Sequence, residues 1–250
     1  MTRATDPARP LRKLLILVTA FAAPALGQLH AMSGWGRSVA DFAGDGDEVL
    51  RAGSWAFAIW GPIYLYLWIY AVAQALRRDD APILRRVGWP SLVALAGIGL
   101  WTVVAQFGPD LLTVPIILAS LLGALVPLLA AGPDQGGADL RTRATLVWPL
   151  AALAGWLTVA TALNVITLAA KYGLLAGAPA EAWGMAGVAM VALTALLVIL
   201  RTRLWIYALP VAWGLVAVWA AERVRHPETG WAALAACALV ALAAALRARR

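Results

Sequence analysis

Charge is scarce in this chain. Asp, Glu, Lys and Arg make up 13% of its 250 residues, where a soluble domain carries about 25%. Acids are the rarer sign, 13 against 20 basic residues. There are two histidines, His30 and His226, and a single cysteine, Cys237. One cysteine excludes a disulfide or a cysteine-based metal site within one chain. Histidines so far apart in sequence do not supply the His-Glu spacing of an intramembrane metalloprotease, and they weaken the case for haem ligation through histidine. Serine catalysis lacks a base inside the apolar runs. No Asp or Glu falls in the middle of any such run, which speaks against ion carriers and proton-coupled pumps. It also removes the acidic pairs that intramembrane prenyl transferases need. No catalytic residue and no metal ligand is assigned. The enzyme question stays open, with these absences weighing against it.

Apolar residues are plentiful. They form 62% of the chain, and the mean hydropathy is +0.79. At roughly 20 residues per crossing, this length holds about eight transmembrane helices and little else. Eight apolar segments are read, at 11–32, 54–76, 89–107, 111–131, 147–169, 182–200, 204–221 and 230–246. Lipid forbids open sheet edges, so the expected fold is all-α, a polytopic membrane bundle forming a single domain over 1–250. Gly108-Pro109-Asp110, Gly132-Pro133-Asp134 and His226-Pro227 punctuate the segments.

The basic residues sit at segment ends. With the N-terminus inside, inner loops hold fifteen Lys and Arg and outer loops five. That bias predicts both termini inside. It also explains the net charge of +7 without a nucleic-acid partner. The run Leu14–Ala25 before Gly27 would also suit a signal peptide, but its preceding Arg and Lys continue the inside pattern and favour a retained helix. The longest outer loop, 33–53, carries Asp41, Asp45, Asp47 and Glu48. Their spacing fits no EF-hand, so the loop reads as a solvated acidic stretch placed where a lid would be.

Thirteen tryptophans stand out. Trp35, Trp55, Trp89, Trp148, Trp183, Trp205 and Trp231 lie at segment ends, where an interfacial belt is expected. Trp60, Trp68, Trp101, Trp156 and Trp213 lie deeper, where each indole N–H needs a partner. In span two, Phe57, Trp60, Tyr64 and Trp68 are spaced three, four and four, one aromatic stripe on a helix. Such a stripe equally suits helix packing. In span five, Trp156, Ala160 and Asn164 are spaced by four; Thr158 and Thr161 can bond back to their own helix. Were spans two and five neighbours, Tyr64 and Trp156 would meet near the midplane. The two faces would then enclose an aromatic cleft.

Span five reads Trp156-Leu157-Thr158-Val159-Ala160-Thr161-Ala162-Leu163-Asn164. It resembles the W-x₃-A-T-x-L-N signature in the fifth helix of the tryptophan-rich sensory proteins, the TspO/MBR family of the mitochondrial translocator protein (peripheral benzodiazepine receptor). Trp148-Pro149-Leu150 is similar to the P-Y opening of that helix. Phe57, Trp60 and Tyr64 are similar to F-x-P-V-W-T-x-L-Y in its second helix. Phe57-Ala58-Ile59-Trp60-Gly61 and Gly155–Thr161 look closer still to the longer bacterial members. Two stretches depart from the pattern. Loop 33–53 has only Trp35 and no proline where the family has a W-Y-x₂-L-x-K-P-x-W-x-P-P stretch, and Ile98 stands where the N-x₂-W pair of the third helix would place Asn before Trp101.

The resemblance implies a five-helix core over 11–169, with 182–246 as three additional transmembrane helices. It also implies a membrane-embedded sensor or binding protein for a flat hydrophobic ligand, tetrapyrrole or sterol-like. Porphyrin or haem is the implied ligand, and no firm cofactor follows. Phe57, Trp60, Tyr64, Trp101, Trp156, Ala160 and Asn164 are the expected ligand-binding residues. The lipid bilayer and a hydrophobic small molecule are the expected partners, with room for a homodimer. Three alternatives remain: a small-molecule transporter bent at Pro62, Pro115, Pro127 and Pro210, an enzyme degrading a porphyrin, and a structural bundle without ligand.

Overall fold

The computed structural model describes residues 8–28, 32–45, 50–77, 82–175, 177 and 179–248. The fold is all-helical, with no strand among the described residues, and eight helices are long and apolar enough to cross a membrane. These spans, numbered one to eight in chain order, are Arg9–Gly27, Ser54–Leu76, Ile83–Phe107, Asp110–Ala131, Leu140–Lys171, Ala180–Thr202, Trp205–Glu222 and Pro227–Ala248. A short helix, Val39–Gly44, lies in the loop before span two.

Three boundaries differ from the sequence reading. Span one ends at Gly27 instead of 32, where Pro24 and Gly27 weaken the helix and polar Gln28 follows. The helix of span three starts at Pro82 instead of 89, so it runs through Arg85 and Arg86. Long basic side chains reach the helix end while their stems stay apolar, so two arginines do not stop a helix there. Span five begins at 140 instead of 147, with a π turn over Arg143–Val147. Pro149 accounts for that turn, because in regular α geometry its ring would meet the carbonyl four residues back.

Span five is the hub. Its apolar window is 83% buried, against 22–50% for the other spans. It packs against spans two, four, six and seven, while span eight is held by six and seven. Close approach comes from small residues, as lipid supplies no hydrophobic drive between helices. A Cβ on Gly155 would lie 2.2 Å from the Tyr207 carbonyl oxygen of span seven. One on Gly123 of span four would lie 2.6 Å from the Pro90 carbonyl oxygen of span three. Polar groups add ties. Lys13 Nζ donates to the Ala75 carbonyl at 3.0 Å and also to that of Arg77, meeting carbonyls that the end of span two leaves open. Thr158 bonds back to the Ala154 carbonyl at 2.9 Å, as expected, and also meets the Tyr207 hydroxyl at 2.7 Å. The Thr161 hydroxyl makes neither bond and has no partner among the described residues.

Span two opens as a 3₁₀ helix over Ser54–Ile59 and becomes α-helical at Trp60. Pro62 explains the change, since its ring would strike the Ala58 carbonyl in a continuous α-helix. In a 3₁₀ turn residues three apart eclipse, so Phe57 stays in line with Trp60. The stripe does not continue to Trp68. Each step of four residues drifts about 40° at 3.6 residues per turn. By Trp68 the face has turned to span one, where its ring stacks on Phe21 at 5.3 Å and its N–H donates to the Ala20 carbonyl at 3.0 Å.

Gly155→Ala places a methyl against backbone that cannot yield. It is expected to destabilise the bundle by about 1–3 kcal/mol. A Cβ at Gly61 meets nothing within 4 Å, so Gly61→Ala should leave the melting temperature in detergent unchanged or raised. Equal melting of the two variants would contradict this packing.

Candidate functional site

Seven residues singled out from sequence converge. Spans two and five lie side by side, and Trp156 receives two rings edge-on from span two. Phe57 is 6.4 Å away at 80° and Trp60 is 6.2 Å away at 83°. Tyr64 stacks on Trp60 at 5.1 Å, one layer behind. These are favoured aromatic geometries. From span three, Trp101 joins the group and gives its Nε1–H to Asn164 Oδ1 at 2.8 Å. Asn164 in turn donates from Nδ2 to Thr113 Oγ1 of span four at 3.0 Å, and the Thr113 hydroxyl donates to the Asp110 carbonyl at 2.6 Å.

These side chains surround two small voids. The upper one holds about 50 Å³ and is lined by Phe57, Trp101, Trp156, Ala160 and Asn164, with Phe42 and Arg51 from the loop. The lower holds about 30 Å³ and shares Phe57, Trp101, Trp156 and Ala160, with Trp60 on its wall. A wider vestibule of about 450 Å³ lies toward the loop and shares Ala43, Arg51, Ala52 and Phe57 with the upper void. Trp156 is 2% exposed, and its Nε1–H has no acceptor among the described residues. Of the other deep tryptophans, Trp68, Trp101 and Trp213 all have acceptors; Trp213 donates to the Ala56 carbonyl at 3.0 Å. A separate groove of about 310 Å³ lies between spans two, five and seven, walled by Pro62, Tyr66, Ala152, Pro210 and Trp213. Its lining is almost wholly apolar. The voids at Trp156 combine aromatic walls with converging polar groups, the usual make-up of a binding site.

The loop closes over this region. Ser38 and Asp41 cap the helix Val39–Gly44 reciprocally, with Asp41 N–H to Ser38 Oγ at 3.0 Å and Ser38 N–H to Asp41 Oδ2 at 3.1 Å. The helix presents Phe42, 2% exposed, edge-on to Trp101 at 5.6 Å. Arg37 fixes the start of the loop by donating from Nε to the Ala105 carbonyl at 2.8 Å. Its guanidinium also pairs with Asp45 and Asp110, and Lys171 Nζ bridges the same two carboxylates at 2.6 Å each. Asp41 and Asp45 are thus engaged in capping and ion pairing. Among the described residues, no cluster of His, Cys, Asp and Glu is arranged to hold a metal ion. His30, Asp47 and Glu48 lie outside the described residues.

Sequence reasoning missed Phe42, Arg51 and Thr113. The Ser38-x-x-Asp41 capping signal stood before Phe42 and could have announced the loop helix. Nothing in the sequence marked Thr113. Glu222 was left outside span seven, yet it ends that helix and is fully buried. Beyond the end of span five, Gly173 takes φ +67° and Gly177 φ +92°, backbone that favours glycine.

A bundle with eight apolar helices long enough to span a bilayer defines an integral membrane protein. The family model described as TSPO-like protein matches residues 12–246, and the chain belongs to that family. The match takes in spans six to eight as well as the first five. No curated protein and no solved structure matches the chain.

The Trp101–Asn164–Thr113 chain joins three spans, and its loss should be measurable. Asn164→Leu is expected to cost about 1–3 kcal/mol by leaving the Trp101 N–H unmet in a buried place. In a cycle with Trp101→Phe the double variant should cost clearly less than the two singles together. Additive melting shifts would contradict the pairing.

Proposed function

We propose that the protein is a membrane-embedded sensor or binding protein for a flat hydrophobic ligand, tetrapyrrole or sterol-like, taken up among spans two, three and five. The observation that carries this reading is the convergence of Phe57, Trp60, Trp101 and Trp156 on two voids that share lining residues, with Tyr64 stacked behind Trp60. Membership in the TSPO-like family supports it. Trp60 and Trp156 offer ring faces and edges, Ala160 leaves room for a plane, and the Trp156 N–H offers a donor to an acceptor on the ligand.

The upper void of about 50 Å³ is far below the roughly 300–1,000 Å³ of a typical ligand pocket. Uptake therefore requires the loop helix and Phe42 to move, which would merge the voids with the vestibule. Asn164 already spends an acceptor on Trp101 and a donor on Thr113. Its role is to orient Trp101, with any ligand contact secondary. The fifteen-to-five distribution of basic residues supports termini on the cytoplasmic side, and the likeness to the longer bacterial members supports a bacterial cytoplasmic (inner) membrane.

Titration with protoporphyrin, haem and a sterol, read by tryptophan emission, tests the proposal. Quenching at micromolar protoporphyrin is expected. Ala160→Phe, which fills the space between Trp156 and Asn164, should weaken it at least about tenfold, the effect of losing roughly 1.4 kcal/mol of binding. No quenching in either detergent or lipid would overturn the reading.

A further inference from the structure

Spans six to eight add about a quarter of the chain, and the seven site residues read from the sequence all come from spans two, three and five. We infer that spans six and seven hold the mouth of the hollow in place, with the buried carboxylate of Glu222 as the clasp on the segment Leu50–Ala56. This inference concerns access to the hollow and does not depend on which ligand enters.

The segment leads into span two. It contributes Leu50, Arg51 and Ala52 to the wall of the upper void, and Arg51, Ala52, Gly53 and Ser54 to the vestibule. Residues 50–53 form no helix or strand, so their backbone groups need partners from elsewhere. Those partners come from span seven. The Arg51 N–H donates to Glu222 Oε1 at 2.9 Å, and Arg51 Nε lies 4.0 Å from the same oxygen. The Gly53 N–H donates to the Ala217 carbonyl at 3.1 Å. Trp213 donates to the Ala56 carbonyl at 3.0 Å and meets Trp55 edge-on at 4.9 Å. Span six supplies the apolar end of the same hold. Leu50, 2% exposed, sits against Gly187, where a Cβ would come within 2.7 Å of Leu50 Cδ2.

Glu222 is the costly member. It is 0% exposed, and its second oxygen, Oε2, has no hydrogen-bond partner among the described residues. An acid buried with incomplete pairing is a weak source of stability. A backbone N–H bonded to a carboxylate is, in contrast, among the stronger positioning contacts available. The arrangement gives Glu222 the task of a positioning residue. It fixes Arg51 and Ala52 where the vestibule narrows into the upper void.

Thiol labelling tests this without ligand, so failure of the binding proposal leaves the test intact. In a Cys237→Ser background, a single cysteine is introduced by Ala52→Cys, and its reaction rate with a membrane-impermeant maleimide is measured on the full chain. A second reporter, Leu140→Cys, sits at the opposite end, at a position 70% exposed. Glu222→Leu is expected to speed labelling at position 52 about tenfold, as loss of one well-placed bond to a charged group would, with the rate at position 140 unchanged. Glu222→Gln keeps a side-chain acceptor and should stay within about threefold of the parent. An unchanged rate at position 52 in Glu222→Leu overturns the inference. If that variant labels faster at both positions, Gly187→Ala decides, since it presses on Leu50 from span six and leaves Glu222 intact. Faster labelling confined to position 52 then supports the clasp, and an unchanged rate there overturns it.

Discussion

The arrangement rests on one amide in a helix that touches almost no lipid. Asn164 sits in span five among apolar neighbours, where an unmet polar group costs several kcal/mol. It resolves this by accepting from Trp101 and donating to Thr113, so three spans are fixed at one depth. Trp101 is thereby held upright over the hollow, and Phe42 finds a fixed edge to close against. Close packing at Gly155 makes this possible, because it lets span seven support span five from the other side. Stability and site geometry thus draw on the same contacts.

Much of this was legible in the sequence. Long apolar runs and alternating basic loops give the eight spans, because hydropathy follows directly from the solvent a helix must meet. The aromatic spacing in span two and the Trp156–Ala160–Asn164 spacing in span five mark faces that do meet. The misses share a cause. Which helix lies beside which is a tertiary matter, so Thr113, Arg51 and the partner of Trp101 carried no local signal. Trp68 was placed on the wrong face because a regular four-residue spacing drifts around the helix. Span three was drawn from its apolar run at 89–107, which leaves out the turns bearing Arg85 and Arg86, although long basic side chains tolerate a helix end.

The hollow combines two demands. Its walls are rigid, with rings locked edge to face and an amide satisfied on both sides. Its roof is a short capped helix held at its margin by ion pairs and one phenyl ring. Local opening draws on the weakest elements of a structure, and the roof has few buried contacts compared with span five. Rigid walls preserve the shape of the hollow, and the roof is the part of its enclosure with least packing to hold it.

The four ionised groups that close the roof, Arg37, Asp45, Asp110 and Lys171, have side chains only 12–30% exposed, yet they lie at the rim where water begins. Charges in such a place respond to dissolved ions, whose screening distance is about 8–10 Å at 0.10–0.15 M. Brine on that side of the bilayer would loosen the rim and dilute media would tighten it.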